Sequence, residues 1–275
     1  MNKVASPKQE SGLKKNFAAF AIPILVITGI LIYKFVLGNP SNFEGNDSNN
    51  HPVAEGVQHI LGLIYKGGFI VPILLSLVLM SITFSIERFF TIGKAQGKGS
   101  AEQFVRRVMG HLKTNNTDAA IAECDKQQGS VANIVRSALT KFKAMETAEG
   151  MDKDQKILAI QKEIEEATTL ELPMLEKNLV IIATMASVST LIALLGTVIG
   201  MIKAFSALGT GGAPDSVGLA NGISEALINT ALGIGNSAVA IIMYNVFTTK
   251  IDKITFTIDE AGYSIIQTFA EKHSK

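Results

Sequence analysis

A chain of 275 residues that is 47% hydrophobic and 18% charged is too apolar to be water-soluble unless much of it faces lipid, so a membrane protein is the first class indicated. A formal charge of +1 argues against nucleic acid or a strongly acidic molecule as partner. The single cysteine, Cys124, excludes an internal disulfide and, in a polar helical stretch, reads as a reduced thiol without chemistry.

Residues 1–17 form a polar tail with Lys3, Lys8, Lys14 and Lys15. The run 18–37, Ala18 to Leu37, is broken only by Pro23 and Lys34; about 20 such residues at ~1.5 Å each cross a ~30 Å hydrocarbon layer. Gly38, Asn39 and Pro40 follow where a cleavage site would lie, so an uncleaved anchor is expected. Residues 38–67, with Asn39, Asn42, Asn46, Asn49 and Asn50, lack the apolar surface to offset ordering and read as a flexible outer linker flanked by two solvated histidines, His51 and His59. The second span, 68–88, has its apolar run at Phe69 to Ile86 and closes on Glu87 and Arg88.

The region 89–178 carries amphipathic helices marked by Phe104, Val108 and Leu112, then Ile121, Ile134, Leu139 and Phe142. The stripe Ile157, Ile160, Ile164, Thr168, Leu172, Leu175, Leu179 runs straight into the third span and predicts one long helix kinked at Pro173. Its mixed charges suit a solvated face or a subunit contact. The third span, 179–208, has no charge between Leu179 and Ile202; after a turn at 209–216, with Gly209 to Pro214 suited to reversal, the fourth span, 217–249, carries only Glu225 between Val217 and Val246. The tail 250–275 has Lys250, Lys253, Lys272 and Lys275.

Lys and Arg crowd the first tail, the region 89–178 and the last tail, whereas 38–67 has Lys66 alone and the turn has none. The expected fold is therefore an all-α integral membrane protein with four transmembrane helices, long helices extending into a cytoplasmic helical region, and both termini cytoplasmic. No Walker glycine loop, paired zinc ligands or nucleophile with a nearby His occurs, so nothing suggests an enzyme, a metal site or a cofactor. Gly209, Gly211 and Gly212 lack the following Lys of a phosphate cradle and read as a turn.

A carboxyl in hydrocarbon costs about 2.5 to 3.5 kcal/mol on insertion scales, so Glu225 must face a cavity, a partner or another polar helix. Asn221, Glu225, Asn229 and Asn236 share one stripe suited to lining water, and the third span offers a face of small residues, Ala183, Ala186, Ser187, Thr190, Ala193, Thr197 and Gly200. Gly196 with Gly200, and Gly218 with Gly222, are GxxxG pairs for helix packing. Proton handling by Glu225 is the favoured reading; a neutral carboxyl that glues helices together is the alternative. Lys203, near the outer end of its span, is expected to snorkel to the interface rather than pair with Glu225.

The blocks Leu194-Leu195-Gly196-Thr197-Val198-Ile199-Gly200-Met201-Ile202, Gly222-Ile223-Ser224-Glu225-Ala226-Leu227, Thr230-Ala231-Leu232-Gly233 and Tyr244-Asn245-Val246-Phe247, with the Glu87-Arg88-Phe89 ending of the second span, resemble the MotA/TolQ/ExbB proton-channel family, with wording nearest the ExbB branch. The resemblance covers roughly Phe69 to Ala270. It implies an all-helical subunit with three spans, so that Ala18 to Leu37 is additional, with lateral anchoring preferred to a binding platform for an extra component as its role. It also implies a homo-pentamer in the bacterial inner membrane around a dimer of single-span ExbD-like partners. Glu225, Thr197 and Thr230 would take the family's polar pore positions, in a motor that energises a TonB-like protein. Thr190 stands where related sequences often carry Pro. Thr230 lies about 140° around an ideal helix from Glu225, so it is expected to face Thr197 across the subunit boundary. A TolQ-like unit for envelope constriction and a flagellar stator are the other branches. A passive scaffold or a secondary transporter is the reading from another class, without the inverted repeat that transporters carry.

Overall fold

The computed structural model describes residues 17–209 and 215–273; the amino-terminal lysines, Lys275 and the glycine turn at Gly211 and Gly212 lie outside the described residues. Among the described residues the regular structure is helical, with one isolated bridge between Phe43 and Pro52. Four helical stretches are long and apolar enough to cross a membrane, one each in Phe17–Leu37, Gly68–Lys113, Lys153–Gly209 and Ser216–Lys272. This is the all-α, four-span class expected, because in lipid a chain can satisfy its backbone polar groups only within a helix or a closed barrel. The helices are α1 Phe17–Leu31, prolonged by a π turn at Ile32–Leu37, α2 Val57–Tyr65, α3 Val71–Gln96, α4 Ala101–Lys113, α5 Thr117–Gln127, α6 Gly129–Glu146, α7 Lys153–Glu176, α8 Leu179–Gly209 and α9 Ser216–Lys272.

The chain forms two compact units, one comprising Ile181–Ile242 with the chain up to Phe84, the other Ser85–Val180 with Met243–Lys275. In the first, α1 lies against α3 at Gly29, where an added Cβ would sit 3.0 Å from the Ser76 backbone nitrogen. Its opposite face exposes Phe20, Ile24, Ile27, Leu31 and Phe35, as a lipid-facing helix should. The segment 38–67 departs from the expected flexible linker. Asn42 donates from Nδ2 to the Val36 and Leu37 carbonyls at 2.7 and 2.9 Å, satisfying acceptors that the end of the first span leaves open. Phe43 is buried, meets Tyr65 edge-on with centroids 5.5 Å apart, and Tyr65 stacks on Tyr33 at 4.7 Å. These three aromatic side chains supply the apolar surface that an asparagine-rich composition conceals.

The second unit is the predicted amphipathic bundle. Ser100, Asn116 and Asp152 accept bonds from the first-turn N–H groups of α4, α5 and α7, the last within a capping box completed by Gln155. Phe104, Val108, Leu112, Ile134, Leu139, Phe142 and Ile160 are buried, and Phe142 meets Phe269 of α9 edge-on at 5.0 Å. Cys124 is buried here, and burial pushes its thiol up to about 12.

The single long helix expected across Pro173 is two helices. Pro173 stays inside α7, and the backbone turns instead at Lys177, which is extended, and Asn178, with φ +65°. Such a break strands the last carbonyls of α7. Arg88, 2% exposed, donates through Nη1 to Met174 O at 3.3 Å and to Leu175 O at 3.2 Å. Its Nε donates to Glu87 Oε2 at 2.6 Å, and that oxygen also accepts from Asn178 Nδ2 at 3.2 Å.

Candidate functional site

The site lies in the first unit and begins with the start of α9. Asp215 Oδ1 accepts from Val217 N at 3.1 Å and Gly218 N at 2.9 Å, a side-chain cap that sets where the helix begins. From there Gly222, Glu225, Ala226, Asn229, Gly233, Asn236 and Ala240 are buried at helical spacing, facing Ser189, Ala193, Gly196, Gly200 and Ala204 of α8. The pairing is antiparallel: Gly200 meets Gly222, Gly196 meets Asn229 and Ala193 meets Gly233. A Cβ on Gly222 would lie 2.6 Å from the Ala204 nitrogen, and one on Gly200 would lie 2.8 Å from the Gly222 carbonyl, so these backbones touch where only hydrogen fits. Gly196 packs likewise on Asn229, and Gly218 against Ala207, as the GxxxG spacing implies.

Polar side chains are spent along this contact. Asn236 Nδ2 donates to Ser189 Oγ at 2.7 Å, and Asn229 Nδ2 donates to Gly67 O at 3.0 Å. The Asn229 Oδ1 atom is buried with no hydrogen-bond partner among the described residues. Thr197 and Thr230 share a hydroxyl hydrogen bond of 2.5 Å within one chain, not across a subunit boundary. The small face of α8 also differs from the expected one by a rotation: Ser187 and Thr190 are exposed, and Ser189, which the spacing reading passed over, is fully buried. The series 189, 193, 196, 200 keeps the alternation of four and three that would have located it.

Glu225 is 8% exposed, and both its oxygens are taken: Lys203 Nζ donates to Oε1 at 2.7 Å and to Oε2 at 2.9 Å. This corrects the expectation that Lys203 would snorkel away. Lys203 follows Gly196 and Gly200 at steps of four and three, so it projects from the very face that packs on α9. The lysine is not itself interred: about half of its side chain, 49%, stays exposed, with Nζ 5.7 Å from the centroid of the Phe69 ring. Gly68, at φ +78°, lies directly against the Glu225 carboxylate, where a side chain would occupy the same space.

A cavity of about 350 Å³ opens over the pair, lined by His51, Lys66, Lys203, Asn221, Ser224 and Glu225 among others. Of the three asparagines expected on a water-lined stripe, Asn221 reaches this cavity, while Asn229 is bonded to the Gly67 carbonyl in the connection before α3 and Asn236 to Ser189 of α8. The roof comes from the segment between the first two spans. Lys66 Nζ donates to Ser48 O at 2.9 Å and Asn49 O at 3.1 Å; burial draws its ammonium below the usual lysine range, with nearby Asp47 opposing. His59 Nδ1 lies 2.6 Å from Val53 O. The arrangement is a buried carboxylate with a tethered counter-cation, reachable from a polar cavity, and a hydroxyl pair further along the same two helices.

Comparison with known proteins gives one consistent answer. Residues 126–260 match the family described as the MotA/TolQ/ExbB proton channel family. The chain is similar to a putative ExbB-like biopolymer transport protein of Synechocystis, 31% identical over 66% of this chain and 81% of that protein. It is also similar to the Tol-Pal system protein TolQ of Pseudomonas aeruginosa, 28% identical over 65% of this chain and 78% of that protein, and to the biopolymer transport protein ExbB of Pseudomonas putida, 23% identical over 74% and 61%.

Proposed function

Because the chain belongs to the MotA/TolQ/ExbB proton channel family, we propose that it is the channel subunit of a proton-driven motor in the bacterial inner membrane, with Glu225 as the carboxyl that takes up and releases the proton. The observation that carries this reading is the place of Glu225: buried between α8 and α9, yet at the floor of a polar cavity. A carboxyl there without function would be costly to keep. Thr197 and Thr230 continue the path as a hydroxyl pair, and the unpartnered Asn229 Oδ1 provides a further acceptor between the carboxyl and that pair in the order of α9. The cycle has two states. With the carboxylate charged, Lys203 neutralises it; on protonation the pair separates, and the half-exposed ammonium turns into the cavity.

In this account five copies surround a dimer of single-span ExbD-like partners, both termini face the cytoplasm, and the motion energises a TonB-like protein for uptake across the outer membrane. An electrical gradient supplies about 2.3 kcal/mol per charge per 100 mV, so a few protons per step suffice for mechanical work. The test is Glu225→Gln, which keeps shape but cannot exchange charge. Uptake of an iron complex in cells should be lost while the protein still co-purifies with a single-span protein bearing a membrane-embedded Asp. Wild-type uptake in that variant rejects the proposal.

A second reading is favoured by the similarity to TolQ: service of the envelope-constriction system. Deletion of the gene would then give leaky, chained cells with normal iron uptake. A secondary transporter would instead move a solute through the isolated chain.

A further inference from the structure

We propose that Lys203 is the selectivity element of the Glu225 site, an internal counter-cation that restricts the pathway to protons and keeps sodium out; this rests on the reading of Glu225 as the ion-carrying group.

The argument starts from occupancy. A carboxylate that carries sodium must offer the metal at least one oxygen and a cavity of further oxygen donors. Here Asn221, Ser224 and Glu225 border the same cavity, so the donors exist. Both carboxylate oxygens, however, are within 2.7 and 2.9 Å of the Lys203 ammonium. A sodium ion arriving from the cavity competes with a cation of equal charge that is attached to the neighbouring helix and present at every site whatever the salt outside. The tether adds like-charge repulsion to the loss of ligands. A proton competes on different terms, because it forms a covalent O–H bond on one oxygen, removes the carboxylate's charge and thereby the reason for the ammonium to stay. Lys203 then has somewhere to go, being half exposed at the cavity and close to the Phe69 ring.

The other charged and titratable groups around Glu225 do not replace it. From the segment between the first two spans, Lys66 and His51 line the cavity, and Lys66 is already bonded to two carbonyls and faces Asp47. From α1, Tyr33 lies in the field of the carboxylate and stacks on Tyr65. From the turn that precedes α3 come Gly68 and Phe69, neither of which titrates. The positive surroundings reinforce exclusion of metal cations, while among the described residues the cation paired with the carboxylate is Lys203.

The experiment reconstitutes the full complex in liposomes and follows proton flux with a pH dye at fixed ionic strength, replacing potassium by sodium. Wild type and Lys203→Arg should conduct protons with no dependence on sodium. Lys203→Met should lose that indifference, its proton flux falling at least tenfold as sodium replaces potassium and its pH profile moving relative to wild type. Glu225→Gln should conduct neither ion. Sodium-dependent flux in wild type, or a Lys203→Met complex as indifferent to sodium as wild type, overturns the proposal. Proton flux that survives in Glu225→Gln would instead reject the underlying function, and the selectivity role with it. Should Lys203→Met fail to assemble, Lys203→Gln is read in the same way. Thermal unfolding of the solubilised full chain gives a second measurement: sodium should stabilise Lys203→Gln over potassium and should not do so in wild type.

Discussion

Glu123 shows how a single side chain ties the helical bundle of the second unit to pH. Lys126 bonds its Oε1 at 2.6 Å and Arg107 bonds its Oε2 at 2.9 Å, and these two hydrogen bonds, Lys126 first, hold the carboxyl below the usual carboxylate range. A carboxylate whose native value is depressed contributes stability that is present above its unfolded value, about 4.3, and is lost as pH falls through the native one. Glu123→Gln should therefore melt below wild type near neutral pH, with the difference disappearing in acid; scanning calorimetry at about pH 7 and about pH 3 checks it. Thr197→Val removes the hydroxyl bond to Thr230 and should cost about 1 kcal/mol, read from denaturant unfolding of the solubilised chain. At this scale the sequence marked Glu225 well, since a charge amid apolar residues is visible without a structure. It did not mark Lys203, because a lysine near a span end has two plausible directions and only the register of α8 on α9 chooses between them.

Between helices, contact distance decides. Gly222 brings α9 onto the backbone of α8 at Ala204, so Gly222→Val forces the two apart; a loss of about 1–3 kcal/mol and weakened assembly are expected, measured by thermal unfolding and size-exclusion chromatography. The joint after α7 depends on Arg88. Arg88→Met leaves the Met174 and Leu175 carbonyls without their charged donor, and a loss of about 1.5–3 kcal/mol should appear as a lower Tm with the helix content retained. The GxxxG pairs and the stripe from Ile157 to Leu175 were legible because each is a matter of spacing along one helix. The break at Lys177 and Asn178 was not, since it depends on Arg88 and Glu87, which are remote in sequence. The order in residues 38–67 escaped for a related reason: asparagine content dominates the composition, whereas the fold depends on Tyr33, Phe43 and Tyr65 meeting from three places.

For the molecule as a whole, the lysine and arginine distribution makes a topological prediction. Alkaline phosphatase, active only outside the cytoplasm, should be active when fused after Asn49 and inactive after Glu146, and a fluorescent protein should show the reverse; equal behaviour at both positions would contradict the proposed orientation. The number of spans could be read from the sequence because the bilayer imposes a length and a polarity on every crossing, whereas the identity of partners depends on surfaces of other chains. The two compact units also give the protein a built-in clock. Cys124 is its sole thiol, 3% exposed, and its pKa of about 12 leaves almost no thiolate to react at neutral pH. Alkylation of the untouched natural chain should proceed only when the bundle that holds Cys124 opens, so the rate of a maleimide reaction becomes a stopwatch for that opening, and energising the membrane while it runs would reveal whether the bundle loosens in response.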